Sequence, residues 1–311
     1  MRGMKSSICT AMLLAISTGL LHAQSPQTTG AGDVPELLKR ARELQSKGTL
    51  EDAAAAFKAV ISKDPKAYEG HLGLGIVLDL QARYGEARKH FEHAIELAKP
   101  DQVFGARANM ATSFAFEGKV ADAAKYYQQN FDEQVAAARL DNAGTTANAL
   151  GRVYLETGDV TNAERWYRTG WETAKKLEKS TEDAIDLRDM RWHHAQGRIA
   201  ARRGRIAEAK QHAQHVKEIF DRGRLDKGQV SNYPYLLGYI AFYEKDYDTA
   251  IAELLKASQD DAFVLGLIAQ AYEKKQDPAK AREFYAKVLE VRTHILQTAF
   301  MRPLALKRMK S

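Results

Sequence analysis

The sequence predicts an all-α protein, an α-solenoid of about seven antiparallel helix pairs with a C-terminal capping helix. Three observations carry this. Proline is scarce, 7 in 311 residues, alanine is abundant, and long stretches lack glycine/proline clusters, a composition that favours helices. Few segments alternate apolar and polar residues with β-branched enrichment, so strands are not expected. Most telling, the chain repeats itself. A marker alanine recurs at Ala53, Ala87, Ala123, Ala163, Ala209, Ala250 and Ala281, at intervals between 31 and 46 residues.

The first segment reads as an export signal, residues 1–23. Arg2 and Lys5 precede a mostly apolar run from Ile8 to Leu21, and Leu21-His22-Ala23 forms an acceptable cleavage site before Gln24. That run is shorter than the roughly 20 residues a membrane span needs. Cys9, the only cysteine, lies within it, so the processed chain would hold no disulfide or thiolate metal site. Localisation is thus expected to be periplasmic or secreted, with no stable membrane insertion of the mature chain. Residues 24–33 are polar and glycine-containing, a flexible linker. The formal charge of +6 falls by two on cleavage and is too weak to indicate nucleic acid.

The repeat region, 34–290, is justified by what surrounds each marker. Twelve residues before it stands a small residue in every unit: Ala41, Gly75, Ala111, Gly151, Gly197, Gly238 and Ala269. Nine before stand Leu44, Leu78, Phe114, Tyr154, Ala200, Ala241 and Tyr272; four after stand Phe57, Phe91, Tyr127, Tyr167, Ala213, Leu254 and Tyr285. Five before, four units have glycine: Gly48, Gly118, Gly158 and Gly204. Such a glycine supplies the left-handed conformation that ends the first helix. The small residues let two antiparallel helices cross closely, and the bulky sites fill the space between units. Residues 291–311 follow as a capping helix and basic tail, because a terminal unit needs a polar outer face.

The pattern resembles the tetratricopeptide repeat family, a 34-residue helix–turn–helix unit. It is clearest over 72–100, 109–127 and 147–170, with Pro65 and Pro100 ending second helices. Repeat five departs at Ala200 and Ala213, and repeats six and seven carry Lys245 and Gln276 at the turn. The resemblance implies a right-handed superhelix and a non-enzymatic scaffold that holds a protein or peptide in the concave groove lined by first helices. Applied to this chain, it makes groove candidates of Asn109, Thr112 and Phe116; of Asn148, Arg152 and Glu156; of Arg191, His194, Arg198 and Arg202; and of Asn232, Tyr235, Tyr239 and Tyr243. Arginines forking carboxylates beside rigid tyrosines suit an extended peptide or an acidic polymer; equally, the tyrosines could be core and the arginines a solvated face. The family's carboxylate-clamp pattern does not match here.

Signals for chemistry are thin. No HExxH, GxSxG or glycine-rich phosphate loop occurs. His193, His194, His212 and His215 cluster in repeat five, and His90 and His93 are three apart, yet they read as packing or solvated side chains rather than a metal site. The expectation is no enzyme, no cofactor and no metal. The rival reading is an oligomerising envelope component acting through 291–311, or a receptor for anionic cell-wall glycan.

Overall fold

The computed structural model describes residues 33–177 and 179–310. The expected export signal, and all of the expected linker but Asp33, lie outside the described residues. Among those residues every regular element is helical.

The first unit pairs α1 (Val34–Lys47) with α2 (Leu50–Lys63), and the second pairs α3 (Tyr68–Leu80) with α4 (Tyr84–Leu97). Then come α5 (Val103–Phe116) with α6 (Val120–Ala136), and α7 (Leu140–Glu156) with α8 (Val160–Lys175). The later units are α9 (Glu182–Arg202) with α10 (Ile206–Asp221), α11 (Asn232–Glu244) with α12 (Tyr247–Leu254), and α13 (Ala262–Lys274) with α14 (Pro278–Glu290). Asp33, Thr49, Asp159, Asp246 and Asp277 cap helix starts by accepting a backbone N–H with their side chains.

The seven marker alanines are buried, and so are the seven residues four positions beyond them. The small residues are needed because of those partners. A β-carbon on Gly75 would stand 2.6 Å from the Phe91 ring, on Gly151 3.0 Å from Tyr167, and on Gly238 2.5 Å from Leu254. Each pair belongs to one unit, so the small residue and the bulky one form a single lock between antiparallel helices. At the turn inside each unit, six of seven residues are left-handed: Ala82, Gly118, Gly158, Gly204, Lys245 and Gln276, with φ between 61° and 96°. Gly48 was expected to do the same and does not; its φ of −89° is extended, and its N–H bonds the Leu44 carbonyl. The non-glycine turns show that the hairpin geometry is imposed by packing rather than by local preference.

After α14 the chain runs through a short strap, 291–295, into α15 (Leu296–Lys310). The helix packs on α13 and α14, as a cap would, and also on α5 and α7. It therefore reaches across the concave side, joining the last unit to the third and fourth. Met301 fills the space left by Gly266 on α13, while Leu296 and Ala299 join the core beside Leu80, Ala111 and Phe116. Arg302 is buried and donates to the carbonyls of Leu80 and Leu289, both at 2.7 Å, satisfying two helix-end acceptors. Burial draws its pKa down to about 10.

Candidate binding pocket

The concave side holds a pocket of about 460 Å³, walled by α5, α7 and α9, with Gln229 and Asn232 at one end and the strap at the other. Eight of the fourteen residues expected to face a partner line it: Asn109, Thr112, Asn148, Arg152, Arg191, His194, Arg198 and Asn232. Helical spacing places them. Asn109 and Thr112 lie one turn apart on α5, Asn148 and Arg152 on α7, and Arg191, His194 and Arg198 follow one stripe of α9.

The remaining candidates lie elsewhere. Tyr235 and Tyr239 are core residues, Tyr239 fully so. Tyr243 packs against Tyr239, at 4.9 Å between ring centroids. Their rings serve the interior while their hydroxyls meet guanidinium groups: Tyr235 accepts from Arg152 at 3.2 Å and Tyr239 from Arg202 at 2.8 Å. Arg202 is itself turned into this layer, its guanidinium 5.0 Å from the Tyr243 ring centre. The tyrosine stripe thus backs the arginines instead of presenting itself to solvent. Phe116 is likewise buried, stacked near Tyr84 and His294. Glu156, with 2% of its side chain exposed, is the counter-ion of this layer.

That layer is unbalanced in charge. Glu156 accepts from Arg202 at 2.6 Å and from Arg198 at 3.5 Å, so one carboxylate serves two arginines directly, with Arg152 beside them. Arg198 also donates to Tyr167 at 2.9 Å, and Arg152 lies 4.8 Å over the Phe263 ring. Burial opposes the charge on Arg152 and Arg198, but Glu156 and the surrounding phenols outweigh it and hold both firmly protonated. The Nε atoms of Arg152 and Arg198 and Nε2 of His194 have no hydrogen-bond partner. Burial, then the positive charge of Arg198 and Arg152, drives the His194 pKa well below its ordinary value. Buried donors without acceptors cost free energy in a native protein. Here two such donors, the Nε–H groups of Arg152 and Arg198, belong to residues that line the pocket.

The strap completes the wall and was not foreseen. His294 bonds Asp79 Oδ2 through Nε2 and Asn109 Oδ1 through Nδ1, both at 2.8 Å. Asn109 Nδ2 donates to the Gly105 carbonyl, so its oxygen is the atom turned toward His294. Ser113 donates to the other oxygen of Asp79, which is fully buried. Burial pushes the Asp79 carboxyl above its ordinary range, against the pull of His294 and Ser113. Ile295, Leu296 and Gln297 then line the mouth. No periodic signal announces a contact spanning 215 residues. The hints available were a histidine and a buried-helix aspartate at otherwise apolar positions.

Fold and pocket together define a helical-repeat protein with a concave pocket. Sequence models of the tetratricopeptide repeat match residues 38–101 and 264–294, the stretches that hold most of α1 to α4 and of α13 to α14. Among solved structures, the chain is similar to a tetratricopeptide repeat protein from Parabacteroides merdae, with 14% identity, 89% of this chain and 97% of that one covered, and a TM-score of 0.54. It is also similar to aspartyl phosphate phosphatase F from Bacillus subtilis, with 15% identity, 85% and 71% coverage, and a TM-score of 0.58. At these identities the likeness concerns the fold alone: an all-helical, tetratricopeptide-like solenoid. No curated protein sequence matches the chain.

Proposed function

We propose that this chain is a non-enzymatic scaffold that holds a protein or peptide partner in the concave pocket, with an acidic group of the partner directed at Arg152 and Arg198. The observation that carries this is the pocket's charge layer, in which Glu156 pairs directly with Arg198 and Arg202 while Arg152, near Glu156 and Asp261, makes no ion pair among the described residues, and Arg152 and Arg198 keep an unpartnered Nε. A carboxylate of the partner in the pocket would offset the excess positive charge of this layer. Asn148 and Asn232 line the same pocket with amides suited to a peptide backbone. The apolar face of α15 is spent inside the chain on α5 and α13, which favours pocket binding over oligomerisation through 291–311. No helix among the described residues is long and apolar enough to cross a membrane. The basic–apolar start of the sequence supports export to the periplasm or medium. N-terminal sequencing of the processed protein checks this, with Gln24 the expected first residue.

The test is selection from an immobilised random heptapeptide library. Wild type should enrich peptides bearing Asp, Glu or an essential free carboxylate. The double variant Arg152→Met/Arg198→Met, which keeps the Glu156–Arg202 pair, should lose at least about tenfold in affinity for them, as expected when a charge-assisted hydrogen bond is removed. Enrichment of neutral or basic peptides, or unchanged binding in the folded double variant, would overturn the reading.

A further inference from the structure

Six of the nine histidines form two sets outside the pocket, and the sets are copies of each other. His71 on α3 and His90, His93 and Glu96 on α4 recur as His193 on α9 and His212, His215 and Glu218 on α10, every one displaced by the same 122 residues. The two sets occupy the same positions relative to the marker alanines Ala87 and Ala209. No other unit has histidine there: the third has Arg107, Tyr126 and Gln129, the sixth Pro234, Glu253 and Lys256. Three histidines and a glutamate are thus held in register twice.

The geometry is copied as well. His71 Nδ1 stands 3.1 Å from His90 Nδ1, and His193 Nδ1 stands 3.0 Å from His212 Nδ1. The third ring is alongside, at 5.0 Å between centroids from His71 to His93 and 4.7 Å from His193 to His215. Two imidazole nitrogens bound to one ion at ~2.1 Å in a tetrahedral site lie ~3.4 Å apart, with ring centres ~5 Å apart. The orienting contacts fit too. His71 Nε2 meets the Pro65 carbonyl at 3.1 Å, which places its proton there and leaves Nδ1 as the free electron pair. Glu96 and Glu218 each lie 3.3 Å from Nδ1 of His93 and His215, leaving Nε2 of those rings available. As the side chains stand, no three such groups among the described residues are already gathered to hold a metal ion. His93 and His215 are more than half exposed and can turn inward, while the paired rings are half-buried or buried.

We infer that units two and five each carry a binding site for a first-row divalent transition ion of the Zn²⁺ type. His71, His90 and His93 are the ligands of one site, and His193, His212 and His215 those of the other, with a fourth position open to water. Neutral imidazole is the donor such ions prefer, and three of them with an open position is a known coordination set. These sites lie apart from the pocket and do not depend on its occupant.

The experiment uses the chain without any affinity-tag histidines, equilibrated with micromolar Zn²⁺ and then dialysed, with bound metal counted by mass spectrometry. Two ions per chain are expected for wild type, one for His90→Ala, and none for His90→Ala/His212→Ala, with helical circular dichroism retained. Co²⁺ in place of Zn²⁺ should give a visible ligand-field band that the double variant abolishes. Should that variant fail to fold, His93→Gln/His215→Gln, altered only at exposed rings, should weaken Zn²⁺ at least tenfold. No retained ion in wild type, or metal uptake unchanged in a folded double variant, would overturn the inference.

Discussion

Replacing His294 with alanine should detach the strap and with it the far wall of the pocket. The cost follows from the contacts. Two short hydrogen bonds are lost, to Asp79 and Asn109, and a fully buried carboxylate keeps only Ser113 as a partner. Stranding a buried charge costs about 3–5 kcal/mol. The ring also packs 5.5 Å from both Phe91 and Phe116, adding the loss of a half-filled aromatic niche. We expect about 4 kcal/mol, corresponding to a roughly thousandfold larger open population of the docked helix, since ~1.4 kcal/mol is tenfold. Native-state hydrogen exchange reads this directly on the amides of α15, which should exchange faster while those of α1 and α2 stay nearly unchanged. The double variant His294→Ala/Asp79→Leu should recover at least half of the loss, because the stranded charge is gone. Protection within tenfold of wild type in the single variant, or no recovery in the double one, would refute the assignment of the strap's stability to this pair.

Other outcomes are equally specific. Gly75→Ala should destabilise by about 1–2 kcal/mol in urea titration, because overpacking against the buried Phe91 ring exceeds the ~1 kcal/mol gained in helix propensity; Gly85→Ala, with open space around it, should stabilise by about 0.5–1 kcal/mol. Glu156→Gln should lower stability by about 3 kcal/mol, since Arg198 and Arg202 lose their shared carboxylate, and should tighten binding of any acidic peptide found by selection, which isothermal titration would show. Asp186 ties α9 to the loop after α10 through Arg222 and Arg224; burial raises its pKa, but the two arginines outweigh this and hold it below the ordinary value. Its contribution is therefore present above the unfolded pKa and lost as pH falls below about 4. Asp186→Asn should cost about 1–2 kcal/mol at pH 7, the arginines being partly exposed, and should flatten the acid limb of a melting-temperature profile.

The repeat itself was legible because it is local. Gly75 with Phe91, and Gly151 with Tyr167, are partners within one hairpin, so their spacing recurs and betrays the contact. The groove face was legible for the same reason, helical periodicity being enough to put Asn109, Asn148, Arg152 and Arg198 on one surface. The tyrosines misled because periodicity gives direction along a helix without saying how deep the layer lies. Tyr235 and Tyr239 point the way predicted and are covered by α9 and α13. The strap left no periodic trace, since His294 and Asp79 meet only through the curvature of the whole stack. The histidines were visible as clusters, but the pairing of His71 with His90 and of His193 with His212 spans 19 residues across a turn, which the periodicity of one helix does not show.

An open array of hairpins tolerates insertion or loss of a unit, since every neighbour relation is the same. This chain has surrendered that freedom. With Arg302 fastened to the end of α3 and His294 to its Asp79, the arc between the second and seventh units has a set circumference. A unit added between them would carry the latch past its keeper. The pocket's span should thus be inherited as a constant while the residues within it diverge.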